Sequence, residues 1–304
     1  MRRIVVRALP DGSVLPVYPF HVCIKGLETT VLCRDDEDYD AMVKVICVSA
    51  RRCNVIVVIY AVVSNHCHVA VLAVSQEDAD KYGKDLKKVY SMWFSRKYEE
   101  RNVLSRIETK AIFLDSDWYV RNALAYIPRN ALDNSCNVNE YKWSGYRAMF
   151  AGENTEQTAK RVSKLNARER KAIMHTGDKL DRVPWLLDNE NHLIPSSFCD
   201  HTYLEQAFNN NQSFFLKTIG ALNTAELSYN LEVRPYRMVN DTELQKSVDE
   251  ISQRWFGKQV SALSIEQKYR LIPYVSHIIK TTPKQLGRVF GLSSERIAEM
   301  LGRK

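Results

Sequence analysis

Apolar residues recur along this chain with two different periods, and the change of period divides it. In the first half the apolar runs are short and rich in β-branched residues. Residues 20–24, Phe-His-Val-Cys-Ile, predict a strand. Residues 54–63 are too continuously apolar for either face to meet water, which predicts a core strand. Ser64 and Asn65 then supply turn chemistry, and residues 66–73 resume an apolar run, so the two runs predict a hairpin. Between the first strand and this hairpin, an acidic stretch over 34–40 leads into a helical pattern through Val43, Ile46 and Val48. A long helix is predicted over 75–98, with Leu86, Val89, Tyr90, Trp93 and Phe94 on one side and lysines and arginines on the others. Residues 111–114 predict a fourth strand, and Asp115 or Ser116 can cap a helix carrying Trp118, Tyr119, Leu124 and Tyr126.

That order is strand, helix, strand, strand, helix, strand, helix. It predicts an α+β fold, a ferredoxin-like antiparallel sheet with helices on one face, complete by about Gly152. From Glu153 onward the period is helical, over 156–175, 201–230, 241–256 and 264–280, with a polar break at 209–212. Near the C-terminus Thr282-Pro283-Lys284-Gln285 carries a capping Thr, Pro at the first helical position and Gln three residues after the cap. Gly291 ends that helix, and Ser293 or Ser294 caps a last one through Ile297 and Met300. The all-α C-terminal region therefore ends in a helix-turn-helix candidate. Three segments follow: 1–152, 153–260 and 261–304.

The composition, 45% hydrophobic and 26% charged over 304 residues, excludes disorder and fibre. The longest apolar run, 55–63, is about half of the roughly 20 residues that a membrane helix needs, which predicts a cytoplasmic protein with no membrane partner. Seven scattered cysteines without a C-x-x-C pair read as reduced thiols. The net charge of +7 changes the picture only when it is placed. Residues 1–250 hold 33 basic and 33 acidic residues, while 251–304 hold 10 basic and 3 acidic. The whole excess sits in the last 54 residues, as expected for contact with a polyanion or for a solvated helical face.

His66 and His68 lie two apart on a predicted strand, so both imidazoles project from one sheet face and can hold one side of a divalent metal. Tyr126 and Asn130, four apart on a helix, share a face. A tyrosine hydroxyl, with a pKa of about 10, is a poor nucleophile unless a metal activates what it attacks. An amide oxygen four residues on could complete such a site. Either pair alone also fits a purely structural role.

Taken together, Asn65-His66-Cys67-His68, the helix segment around Leu86-Lys87-Lys88-Val89-Tyr90, Asp117-Trp118-Tyr119, Ala125-Tyr126-Ile127-Pro128-Arg129-Asn130 and Tyr141-Lys142-Trp143-Ser144-Gly145-Tyr146 resemble the single-tyrosine HUH transposases. The likeness is greatest to the REP-associated tyrosine transposases and covers roughly residues 18–152. The resemblance implies His66, His68 and Asn130 as ligands of Mg²⁺ or Mn²⁺, and Tyr126 as the nucleophile that cleaves single-stranded or hairpin DNA through a 5′-phosphotyrosine and rejoins it. Cys67, on the opposite face of its strand, is expected to pack. The family's Pro after the Asn is Ala131 here. Pro128, two residues after the tyrosine, predicts a kinked or shortened helix.

Residues 81–110 carry nine Lys/Arg among Tyr82, Tyr90, Trp93, Phe94 and Tyr98, a composition suited to single strands. Lys87, Lys88, Arg96, Lys97 and Arg129 are the expected DNA contacts of the first segment, and Arg288 and Arg296 those of the helix-turn-helix, which would read duplex DNA. A homodimer is compatible with the family. A second function class, a DNA-binding descendant without the chemistry, also fits the departures at Pro128 and Ala131. A replication-initiation or relaxase-type HUH nuclease fits less well, because the tyrosine follows the HUH motif here.

Overall fold

The computed structural model describes residues 5–25, 31–100, 104, 108–133, 136–150, 159–221, 241–279 and 281–302. It is a mixed α+β molecule. Strand β1 (Val5–Ala8) pairs antiparallel with the first part of β2 (Val14–Lys25). The later part of β2 is flanked by β4 (His66–Ala73) and β5 (Glu108–Phe113), and β3 (Ile56–Val63) lies outside β4, every pairing antiparallel. The sheet therefore runs β5-β2-β4-β3. β1 was not anticipated: four residues of alternating exposure are a weak signal, although the Pro10-Asp11-Gly12 turn beside them is a hairpin cue.

Helices α1 (Asp36–Arg52) and α2 (Gln76–Tyr98) pack on each other and on one face of the sheet. A Cβ on Gly83 would lie 3.3 Å from Val22, so α2 lies close against β2. The start of α1 is tied to the end of α2 by Lys97, whose Nζ lies 2.6 Å from Asp35, 2.9 Å from Glu37 and 2.9 Å from the fully buried Asp38. The acidic stretch is thus structural, and the expected DNA contact Lys97 is committed to three carboxylates. Of the α2 aromatics, Tyr82, Tyr90 and Phe94 are core, and half-buried Trp93 stacks on Tyr90 beneath Lys97.

Helix α3 (Asp117–Asp133) packs on β3 and β4, together with α5 (His201–Ala207) and α6 (Gln212–Ala221). Its contacts are with His68 and His21, which alternate along their strands with the residues facing α2, so α3 covers the other face of the sheet. Helices on one face hold for α1 and α2 only. α3 also runs unbroken through Pro128. Val120, Leu124, Ile127 and Ala131 form a buried stripe along it, and that packing outweighs the single hydrogen bond that proline removes. The exposed edge of β3 is closed by 141–145: Val62 N donates to Trp143 O at 2.9 Å, Tyr141 OH to Val62 O at 2.6 Å, and Gly145 sits where a Cβ would meet Tyr60 at 3.1 Å.

The expected junction at 152–153 lies outside the described residues, as do 156–158 and 222–230 of the expected helices. Where 156–175 predicted one helix, residues 160–161 form a short strand, β6 (Lys160–Arg161), paired with β7 (Leu186–Leu187), and only α4 (Ala167–Met174) is α-helical. Further on come α7 (Asp241–Phe256), α8 (Ile265–Ile278), α9 (Pro283–Phe290) and α10 (Ser294–Met300). Thr282 caps α9 in a full capping box with Gln285, Gly291 ends it in the left-handed region at φ 66°, and Ser293 caps α10. Buried apolar side chains fall into two clusters, one drawn from Leu9 to Ile219 and one from Leu244 to Ile297. All seven cysteines are free thiols. No helix among the described residues is long and apolar enough to cross a membrane.

Candidate functional site

Register brings the site together. Cys23 of β2 pairs with His68 of β4, and His21 pairs with Ala70, so His21, His66 and His68 rise from one face. The rings of His66 and His68 are 4.8 Å apart, and those of His68 and Tyr126 5.2 Å apart at 77°. Tyr126 is half-buried, and the Arg129 guanidinium lies 5.8 Å from its ring centre. Cys67, fully buried, faces the α2 side, where burial pushes its thiol well above the ordinary range, so it packs rather than ligates.

Hydrogen bonds orient the predicted ligands. Asn130, 1% exposed, donates both amide protons, to Tyr126 O at 3.1 Å and Ile127 O at 3.0 Å, which turns its Oδ1 toward His66. His66 Nδ1 lies 2.8 Å from Asn65 Oδ1, which accepts from it in the tautomer that carries the proton on Nδ1. In that tautomer His66 Nε2 presents a lone pair, 3.2 Å from Asn130 Oδ1. A metal ion between the two atoms suits that tautomer, whereas in the other tautomer Nε2–H donates to Asn130 Oδ1 directly. The separation matches the roughly 3.0 Å between adjacent ligands of an octahedral ion bound at about 2.1 Å. Two imidazoles and an amide oxygen suit Mn²⁺ better than Mg²⁺, which favours oxygen alone. Among the described residues, no group of three His, Cys, Asp or Glu side chains is placed to hold a metal, so a site here depends on the Asn130 amide and on water.

His21 was not anticipated. Its Nε2 lies 2.9 Å from His68 Nδ1, and its ring is 6.3 Å from that of Tyr126. Burial lowers its pKa from 6.5 to about 4, so it is a neutral imidazole that can accept from His68 Nδ1–H and present His68 Nε2 as the ligating atom. A lone histidine in a strand carries no such signal until the pairing of β2 with β4, 47 residues on, is known.

No family model, curated protein or solved structure matches this chain.

The remaining expected DNA contacts are dispersed. Lys87, Lys88 and Arg96 line an open cavity of about 670 Å³ on α2 with Lys84, Ser91 and Ser95 and no carboxylate, on the sheet face away from Tyr126. Arg296 is exposed, with its guanidinium 5.4 Å from the Tyr269 ring centre. Arg288 is mostly buried and pairs with Asp241 through Nε and, at 3.1 Å, through Nη2. Asp241 also accepts from Ser64 Oγ in the turn just before His66. The second cluster is thereby fastened to the loop that carries the histidine pair.

Proposed function

We propose that this protein is a tyrosine-dependent DNA strand transferase of the single-tyrosine HUH kind, a transposase-like enzyme acting on single-stranded or hairpin DNA, with a ferredoxin-like catalytic sheet and a C-terminal helix-turn-helix that contacts duplex DNA. The observation that carries the reading is the convergence of His66, His68, Tyr126 and Asn130 on one sheet face, with the Tyr126 and His68 rings 5.2 Å apart and an unbroken helix beneath the tyrosine and the asparagine.

Tyr126 attacks the scissile phosphorus with its phenol oxygen. The tyrosyl O–P bond forms, the P–O3′ bond breaks, and the phenol proton ends on the departing 3′ oxygen. Rejoining to another 3′-OH reverses these changes, so neither step consumes water or a nucleotide. His66, His68 and Asn130 would hold a divalent ion, which when bound would polarise the phosphate and neutralise the charge that develops on it. Asn130 is aimed by the two helix carbonyls, and His66 by Asn65. Arg129, beside the tyrosine ring, is positioned to meet the charge of the phosphotyrosine.

The test is a denaturing-gel assay with MnCl₂ and a pool of labelled hairpin oligonucleotides with randomised flanks. Wild type forms a covalent protein–DNA adduct, Tyr126→Phe forms none, and Asn130→Ala loses at least about tenfold in rate. Adduct that persists in Tyr126→Phe sinks the nucleophile assignment. DNA binding without adduct in wild type would instead make the chain a DNA-binding descendant.

A further inference from the structure

A second cavity, of about 700 Å³, opens at the other end of the sheet. It is bounded by the β1–β2 turn at Leu9, the end of α1 at Cys47 and Arg51, the start of β3 at Val55 and Val57, and the segment from Arg182 to Thr202. His66 pairs with Val63, six residues beyond Val57, so roughly 20 Å of strand at ~3.3 Å per residue separates this cavity from the histidine pair. The walls are fixed: Asp200 N donates to Val57 O at 2.8 Å, and Phe198 is stacked on Tyr60 with ring centres 5.6 Å apart.

The chemistry of the lining is asymmetric. Leu9, Val55, Val57 and Trp185, all buried, together with Phe198 make an apolar and partly aromatic floor. Of the charged groups, Asp11 already accepts from Ser13 N at 2.8 Å, Ser13 Oγ at 2.6 Å and Asn54 Nδ2 at 2.9 Å. Asp200 accepts from Arg7 Nε at 2.7 Å on one oxygen and from Tyr203 N at 3.1 Å and Thr202 Oγ1 on the other. Both carboxylates are therefore satisfied by neighbours; Arg51 faces the carboxylate of Asp178 outside the lining, which is itself held by Arg52, and Arg182 is exposed at the rim. What the lining leaves over is positive charge at the rim, the Ser196 hydroxyl and an apolar floor. The volume suits one small organic molecule rather than a bare ion.

We propose that this cavity binds a nucleotide, with the base on the Trp185 and Phe198 side and the phosphate at Arg51 and Arg182. Guanidinium forks recognise phosphate bidentately, and aromatic walls accept any base. The site is independent of the strand-transfer reading, and its ligand comes either from free mononucleotide or from an unpaired nucleotide of a DNA strand.

The test is titration of the full chain with the four common 5′-mononucleotides, followed by calorimetry and by Trp185 fluorescence against a Trp185→Phe control, with adenosine and inorganic phosphate as separate arms. At least one mononucleotide should bind about tenfold tighter than either fragment, and Arg182→Ala and Arg51→Ala should each weaken it by about tenfold without moving the melting temperature of the ligand-free protein. Competition by a short single-stranded oligonucleotide assigns the site to a DNA strand, and lack of competition assigns it to the free nucleotide. No saturable binding of any mononucleotide or oligonucleotide, or affinities unchanged in both arginine variants, overturns the proposal. Tyr126→Phe should bind like wild type, which separates failure here from failure of the strand-transfer reading.

Discussion

The two apolar clusters bury polar groups for different ends. In the C-terminal cluster the fully buried Gln285 closes a capping box three residues from Thr282, and the fully buried Ser252 donates to Lys258 O at 2.6 Å, six residues on. These are short-range bonds that finish helix ends. In the sheet cluster His21, His68, His66 and Asn130 meet across 47 and 64 residues. Asn130 gives both amide protons to carbonyls of its own helix and turns its oxygen toward His66, while His21 meets His68 ring to ring. Buried ion pairs, Asp38 with Lys97 and Asp241 with Arg288, add long-range ties between elements to these local caps. Polar side chains gathered on one sheet face with neither an ion pair nor a helix end to close mark the place where function acts on the sequence.

Asp241 joins the two regions, so its loss should have the largest effect. In Asp241→Ala the mostly buried Arg288 guanidinium loses its carboxylate and Ser64 its acceptor, which costs on the order of 3–5 kcal/mol. Trp255 is the one tryptophan beyond residue 240, so urea unfolding followed through it in a background lacking the other four reports on the C-terminal cluster. An early transition there is expected. A midpoint shift that leaves Trp255 unmoved would place the effect in the sheet cluster alone.

The next effect belongs to His21. Its folded pKa of about 4 lies below the ordinary 6.5 because burial disfavours the charged ring. Below pH 6.5 the unfolded chain binds a proton that the folded chain refuses, so stability is full above that pH and falls as the pH drops toward 4. The slope is about 1.4 kcal/mol per pH unit, or roughly 3 kcal/mol over the window. In chelator-treated protein, His21→Asn should flatten the stability–pH profile between pH 4 and 6.5 by about one proton. Parallel wild-type and variant profiles would mean that His21 is not a buried neutral imidazole.

Legibility followed the same division. The capping box at Thr282, the left-handed Gly291 and the β3–β4 hairpin are written within a few residues of themselves, and the structure places them where the pattern predicted. His21, Asp241 and the layer formed by α3 depend on which distant segments meet, and nothing near them in sequence says so. Pro128 is a local signal that allowed two outcomes. Of the two outcomes its local rule allows, the shortened helix is not seen, because the buried stripe carries α3 on to Asp133.

Gly287 tests how tight the C-terminal helix pair is. Replacing glycine by alanine inside a helix ordinarily stabilises by about 1 kcal/mol. Here a Cβ would lie 2.8 Å from the Leu292 carbonyl oxygen, part of the turn in which Leu292 N donates to Gly287 O at 2.9 Å. Backbone cannot swing aside as a side chain can, so Gly287→Ala should reverse the usual sign and destabilise by about 2 kcal/mol, read from the Trp255 transition. A stabilised variant would mean that α9 and α10 pack loosely.

The smallest effect separates capping from docking. Thr282 Oγ1 accepts from Gln285 N at 3.1 Å, and Gln285 Oε1 accepts from Thr282 N at 3.1 Å, so Thr282→Ala removes one half of a reciprocal pair and should cost about 1 kcal/mol. Because the cap is local, that loss should add to the loss from Asp241→Ala in the double variant to within about 0.5 kcal/mol. A marked departure from additivity would show that the start of α9 reaches the Asp241–Arg288 contact, five to six residues along the same helix, and that the C-terminal cluster yields as one unit.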